Sequence, residues 1–502
     1  MYFNRKPVSS VLAVALAVFI MTSTDLPAFS QSVPPVLLFD RDNGFVPEYA
    51  LPDVEEREPS SVSDFEQDSG KPGIKDWLFA GAGVLASNAA LFSFNHFVMQ
   101  AEYAEVDGDT IYDNLSHQWV WDQDTFVVNQ LGHPYQGSFY FCSGRANGLS
   151  FMQSLLCTSF GSVTWEYFCE NERQSVNDLI CTTFGGAAFG EVLHRLYLEA
   201  HEQKSPFAFI LSPMDALTGV ITGKTQSRGQ DDGITSFQNY LMIGSVFENE
   251  DTDSPETENS TVFPVNFSGG FNLEYGNAFT CRKNVPYSFF TMDVLVGGTK
   301  DYFAVSIRTE GILYRFGTGY TDNGRYMLGC SMLFDASWKK NTAFSVDGLG
   351  LLYRMNSEYE NGVMFGLNAN ASWVLFGGND YYNLYSGNIS LPDGGVERRL
   401  YDYGTGFYTR CELTAGQKSF GTFGAKAMFC GLFSFETAVP AYGSDGFALI
   451  FNGDLSYDHI ITKNFSLGID GNLYTKYGCY YESENVFQTV TAVSLYGKRL
   501  MK

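Results

Sequence analysis

The feature that most constrains this chain is a long run of alternation. From about residue 233 onward, apolar and polar residues exchange places at each step through one segment after another. In 401–415, Tyr401, Tyr403, Phe407, Cys411, Leu413 and Ala415 share one phase. Asp402, Gly404, Gly406, Tyr408, Arg410 and Glu412 share the other. The stretches 363–375, 447–457 and 465–477 repeat the pattern, the last with Phe465, Leu467, Ile469 and Leu473 against Ser466, Gly468, Asp470 and Asn472. A period of two belongs to a β-strand with one apolar and one polar face. The segments run to about 10–15 residues, against roughly 5–6 for a soluble strand and roughly 9–11 for a tilted membrane crossing. Aromatic residues gather near the ends of the apolar faces, where a bilayer interface would hold them. A soluble β-sandwich also alternates, but strand length favours an antiparallel transmembrane β-barrel.

About twelve segments can be marked, from 235–248 to 485–498. An even number puts both barrel ends on the periplasmic side. The connections 249–261 and 377–400 then face outward, and short turns such as Gly416–Ser419 and Thr462–Asn464 face the periplasm. The polar phase would line the lumen with Arg308, Glu310, Asp335, Lys339, Arg410, Glu412, Asp454 and Asp470. The last residues, Tyr496 to Lys502, lack the terminal aromatic that barrel assembly commonly reads.

Ahead of the barrel the chain divides in three. Residues 1–30 read as a signal peptide: Arg5 and Lys6, an apolar core from Val8 to Met21, then Ala28-Phe29-Ser30 with cleavage after Ser30. Residues 31–72 form an acidic, Pro-rich linker. Residues 73–230 carry helical patterns, with Ser175 as a cap for a helix over 176–200. Asn88, Asn95 and His96 interrupt the apolar stretch from Asp76 to Tyr103, so no helical membrane span is expected after the signal. The barrel takes 231–502. The fold class is α + β: a helical domain followed by a barrel of about 12 strands.

Composition narrows the partners. The net charge of −25 leaves no basic patch to displace counterions from phosphates, so nucleic acid is excluded. Acid collects in two runs, Asp53 to Asp68 and Glu248 to Glu258, which read as solvated chain without the spacing of a calcium loop. The 9 Cys include no C-x-x-C pair, so neither a disulfide framework nor a zinc site is expected. Outer-membrane lipid is the expected partner. Nothing in the sequence points to a cofactor or to a protein partner.

The polar residues of 114–201 form a spaced pattern. His133-Pro134-Tyr135-Gln136-Gly137 is followed by Trp165-Glu166 with Glu170. Then come Ser175, Asp178, Thr182, Gly185 and Gly186, and finally Gly190-Glu191 with Arg195. This order resembles a bacterial domain family of unknown function found in Gram-negative envelope proteins. Its signature is H-P-x-x-G, W-E-x-x-x-E, S-x-x-D-x-x-x-T-x-x-G-G and G-E-x-x-x-R. The resemblance covers roughly 75–200 and implies fold kinship, with no activity to carry over. Asp178, Thr182 and Gly185 also resemble the D-x-x-x-[NT]-x-x-G helix of small helical membrane proteins linked to glycopeptide resistance, with Thr182 in place of the usual Asn.

The candidate site residues are His133, Arg145, Glu166, Glu170, Asp178, Glu191 and Arg195. Glu166 and Glu170 lie four apart on one helix face, as do Glu191 and Arg195. Converging carboxylates and a His could do acid–base work or hold a divalent metal. The same residues could instead pair across helices and fix one packing, since buried charge is costly without a partner. The expected function is an outer-membrane barrel in transport or envelope structure, its helical domain capping or plugging it from the periplasm or within the lumen. The alternative is an envelope enzyme acting on lipid or cell wall.

Overall fold

The computed structural model describes residues 72–228 and 233–501, apart from connecting stretches at 251–264, 300–302, 340–341, 381–388, 391–395, 398, 400, 418–419, 441–442 and 483–484. The expected signal, most of the linker and both acidic runs fall outside the described residues or on their edge.

Twelve strands close into one antiparallel barrel. They are β1 (Ile234–Glu250), β2 (Val265–Tyr275), β3 (Phe290–Gly298), β4 (Phe303–Thr321), β5 (Gly324–Trp338), β6 (Phe344–Glu358), β7 (Val363–Asp380), β8 (Tyr401–Gln417), β9 (Gly421–Ser434), β10 (Gly446–Thr462), β11 (Phe465–Tyr480) and β12 (Val486–Met501). Neighbours follow chain order, and β1 closes on β12 from Phe237 opposite Met501 to Glu250 opposite Gln488. Closure removes the sheet edges that would otherwise sit unpaired in lipid. Every expected segment lies on a strand. Both barrel ends and the short turns 321–324, 358–363 and 462–465 share one rim, the periplasmic one by the even-strand rule.

Register assigns the faces, because directly opposed residues point the same way. Asn272, Asp293, Arg308 and Asp335 form one such line, turned into the lumen. Leu273, Met292, Thr309, Phe334 and Asp347 form the next, turned outward. On β10 and β12 the outward residues are open, with Leu455 70% and Leu495 61% exposed. On β2 and β5 they are covered, with Leu273 at 4% and Phe334 at 3%.

What covers them is the helical domain. Its main helices are α1 (Ile74–Ser93), α2 (Gly108–Ser116), α3 (His133–Ala146), α4 (Phe151–Phe168), α5 (Val176–Ile180) and α6 (Gly186–Glu202), and two short ones follow, α7 (Ala208–Leu211) and α8 (Pro213–Thr222). Leu131, Phe141, Ala187, Ala188, Val192 and Leu196 form one core with the outward Phe271, Leu273, Met292 and Phe334. Near the outer rim, Trp121 stacks on Phe376, Tyr403 and Phe435. Near the periplasmic rim, Arg195 donates to Pro286 O at 2.6 Å, and Phe151 stacks on Tyr287. The bundle therefore lies along the outside of the wall, from rim to rim. The helical residues named here meet the wall on its outward face, where the sequence reading expected a cap or plug. Alternation reveals that two faces exist, and it cannot say which of them a second domain will cover.

The first helix is longer than the sequence pattern suggests. With a π-helical turn over Phe94–Met99 it forms 26 continuous residues, Ile74–Met99, long and apolar enough to cross a membrane. No Asp, Glu, Lys or Arg occurs from Trp77 to Met99. Asn88 and Asn95, which break the sequence pattern, are buried against the bundle.

The loop between β2 and β3 folds back into the barrel mouth. Ala278, Phe279, Cys281 and Phe289 pack with the inward Met327 and Leu352, and Arg325 lies 4.4 Å from the Phe279 ring centroid.

Candidate functional site

The seven candidate residues separate into two groups. The first is an ion-pair triad. Glu191 Oε2 accepts from Arg145 Nε at 2.7 Å, and Glu191 Oε1 accepts from Arg195 Nε at 2.8 Å, one helical turn away. Arg145 also donates to Leu149 O at 2.6 Å. The triad ties α3 to α6, and through Arg195 to the β2–β3 loop. Close backbone contact makes this possible: a Cβ on Gly137 would lie 2.9 Å from Gly186 Cα, and one on Gly186 would lie 2.6 Å from Gly137 Cα. The paired glycines of the sequence motif are thus the contact between two helices.

The second group lies at the other end of the bundle. His133 Nε2 stands 3.3 Å from Asp178 Oδ1. Asn177 Nδ2 donates to Asp178 at 2.8 Å and to Asp122 at 2.9 Å, and Asn129 Nδ2 donates to the same Asp122 oxygen at 2.8 Å. Asn129 also reaches the Tyr401 and Tyr403 hydroxyls at 2.8 and 2.7 Å, and Ser345 donates to Gln130 at 2.6 Å. The network therefore continues from the helices into the outward face of the barrel. Two π-helical turns, Val128–Gly132 and Cys181–Gly185, build it. Such a turn adds a residue to the helical repeat and re-aims the side chains around it, here Asn129 and Gln130 toward the wall.

Glu166 and Glu170 depart from the expected shared helix face. The helix α4 ends at Phe168, so Glu170 lies beyond it, where its carboxylate accepts from Trp165 Nε1 at 2.5 Å. Glu166 is not paired with an Arg; its Oε2 accepts from Ser175 N at 2.7 Å. Ser175 caps α5 as expected, its hydroxyl accepting from Asp178 N at 3.2 Å. Burial raises Glu170, which lies beyond the end of α4, to about 8.

Among the described residues, no three His, Cys, Asp or Glu side chains come together as a metal ion would need. Cys142, Cys157, Cys169, Cys181 and Cys430 are buried as thiols. Neither candidate group borders the main cavity. Sequence reasoning missed Asp122, Asn129, Gln130 and Asn177 as site members, although they lie within the polar span 114–201. It also missed Tyr401 and Tyr403, whose rings suit the apolar phase while their hydroxyls complete the network.

The main cavity is the lumen, about 1540 Å³. Its lining includes Lys463, Asn464 and Met501 at the periplasmic rim and Gly298, Lys339 and Thr342 at the other. Much of its charge is paired. Arg308 meets Asp293, Glu310 and Asp335 at 3.5, 2.5 and 4.0 Å. Arg410 meets Glu412 at 2.6 Å, Lys498 meets Asp458 at 2.5 Å, and Arg354 meets Glu274. Asp454 and Asp470 add further acid, with Lys426 opposite Asp454 in register. In the outer half, inward residues of β1 and β5–β12, among them Val246, Leu333, Val374, Tyr408, Ile450 and Val490, form an apolar cluster.

A closed antiparallel barrel with a polar lumen and an apolar outer belt defines this chain as an outer-membrane β-barrel protein. Within it, residues 118–214 match the family described as "Domain of unknown function (DUF3943)". That span holds all seven candidate residues. No curated protein matches the chain. Among solved structures, the NanC porin shares 11% identity over 51% of this chain and 98% of that one, with a TM-score of 0.24. The outer membrane channel DcaP of Acinetobacter baumannii shares 10% over 54% and 98%, with a TM-score of 0.23. Outer membrane phospholipase A from Escherichia coli shares 14% over 52% and 95%, with a TM-score of 0.24.

Proposed function

We propose that the barrel is a conduit for small polar solutes, with a preference for cations, and that the helical domain is its structural buttress. The observation that carries this is the lumenal cavity, whose lining reaches both rims. Its inward lining on β12 alternates from Val490 to Leu500, ten steps along the strand. At about 3.4 Å per residue and a tilt of about 40°, that is about 26 Å of depth. A volume of 1540 Å³ over that depth gives a mean section of about 60 Å², a disc of about 4 Å radius. This suits hydrated ions and small solutes. On the strands that line it, seven carboxylates stand against five cationic side chains, with Lys339 and Lys463 confined to the rims, and the acid of Asp454 and Asp470 within the barrel favours cations.

The test is reconstitution of the full chain in planar bilayers. Discrete conductance steps are expected, with a reversal potential in a KCl gradient on the potassium side. The double variant Asp454→Asn/Asp470→Asn should move that potential toward zero. Absence of both conductance and solute-driven liposome swelling would overturn the reading.

A further inference from the structure

We propose that the helical bundle itself lies in the outer membrane, and that the outer face of α1, flanked by α4, is covered by lipid acyl chains. The protein would then meet the bilayer through a barrel and through a helix bundle side by side. Three independent observations carry this.

The first is depth. The bundle is fixed to the wall near both rims, by Trp121 on Phe376 and Tyr403 at one end and by Arg195 on Pro286 at the other. A body that spans the wall on its outside occupies the space that lipid fills elsewhere around the barrel. The unit Ile74–Met99 has 26 residues, about 39 Å of helix at 1.5 Å per residue, enough for a hydrocarbon core of about 30 Å.

The second is the arrangement of its residues. Ile74, Leu78, Leu85, Phe94, Phe97 and Val98 are exposed, and on α4 so are Met152, Leu156 and Phe160. The polar groups turn the other way. Asn88 Nδ2 donates to Gly161 O at 3.0 Å and to Thr164 Oγ1 at 2.9 Å, and Ser143 Oγ donates to Ala80 O at 2.8 Å. Apolar outside with hydrogen-bonded small and polar residues inside is how helices pack in lipid. Charge appears only at the ends, with Lys75 and Asp76 at one and Glu102 and Glu105 at the other.

The third is likeness of surface. The exposed helical face carries the same kind of large apolar side chain as the barrel's own belt, represented by Leu241, Leu455 and Leu495. The wall that carries the bundle is the wall whose open side meets lipid.

The test places photoreactive benzoylphenylalanine singly at Leu85, Leu156, Leu455 or Asp109 in the full chain. The chain is reconstituted in phosphatidylethanolamine–phosphatidylglycerol vesicles and illuminated. The folded band is cut from a heat-modifiability gel, so that misassembled protein does not contribute, and adducts are read by mass spectrometry. Lipid adducts at 85 and 156 should come within about twofold of the barrel control at 455, with none at the exposed polar position 109. Cross-links between two copies, or no lipid adduct at 85 and 156 while 455 reacts, would overturn the proposal. Neither outcome bears on whether the lumen conducts.

Discussion

Removal of the Glu191 carboxylate gives the sharpest prediction about the helical domain. Glu191 is fully buried and binds both Arg145 and Arg195. The variant Glu191→Gln leaves two guanidiniums beside a neutral amide. Breaking a buried ion pair from one side costs roughly 3–5 kcal/mol. Two features favour the low end. Arg145 keeps Leu149 O and Arg195 keeps Pro286 O, each at 2.6 Å, and the Gln carbonyl can still accept one hydrogen bond. The expected loss is therefore about 3 kcal/mol, on the order of a hundredfold in the unfolding constant. For a region of this size that corresponds to a fall of about 6–12 °C in the helix melting midpoint. Glu202→Gln is the matched control. Its carboxylate is 39% exposed, and Arg228 keeps Glu199 at 2.5 Å, so it should cost less than about 1 kcal/mol. The assay is denaturant or thermal unfolding in detergent, followed at 222 nm, with heat-modifiable mobility reporting the barrel separately. If Glu191→Gln falls no further than Glu202→Gln, the triad is not what holds α3 to α6.

Glu170, raised to about 8 by burial, binds a proton in the fold that the unfolded chain has released, so the stability of the domain should fall as pH rises from about 5 through 8. Glu170→Gln should flatten that slope in thermal melts taken across this range. Gly186→Ala would put a methyl group 2.6 Å from Gly137 Cα, with backbone rather than a flexible tip to yield; a cost of at least about 2 kcal/mol is expected in the same 222 nm assay. Tyr403→Phe removes the hydroxyl that accepts from Asn129 at 2.7 Å while keeping the ring against Trp121, so it should cost about 1 kcal/mol, and Tyr403→Ala several times that.

The barrel was legible because its rule is local. A polar residue such as Asp454 between Gly453 and Leu455 announces its face without reference to the rest of the chain. Strand number followed from counting segments, and the lumen charges followed from phase. The helical domain was legible only in part. Ser175 as a cap and the Glu191–Arg195 pair are contacts within one turn or two, and the sequence places them. The partner of His133 lies 45 residues away at Asp178, and two partners of Asn129 lie on a strand more than 270 residues later. No periodicity encodes such pairs. The π-helical turns add a second obstacle, because each shifts the helical phase by which side chains are assigned to faces. The reading of α1 as interrupted has the same origin: Asn88 looks like a break in an apolar helix until Gly161 and Thr164 are seen to receive it.

The composition of the covered wall explains why the two parts occur in one chain. On the open side the outward face carries Leu455, Leu495, Phe451 and Phe429, all suited to lipid. On the covered side it carries Thr309, Ser345, Asp347 and the hydroxyls of Tyr401 and Tyr403 among its apolar residues, all buried. A carboxylate or an unpaired hydroxyl facing hydrocarbon costs kilocalories at each position, least near the interfaces and most at the midplane. Gln130 and Asn129 meet Ser345 and the two tyrosines, and the bundle keeps Asp347 from lipid. In return, the wall buries a bundle face built of Phe141, Ala187, Val192 and Leu196. Neither surface is suited to lipid or to water. The covered strands were therefore written for a protein neighbour, and the fused helical domain is that neighbour.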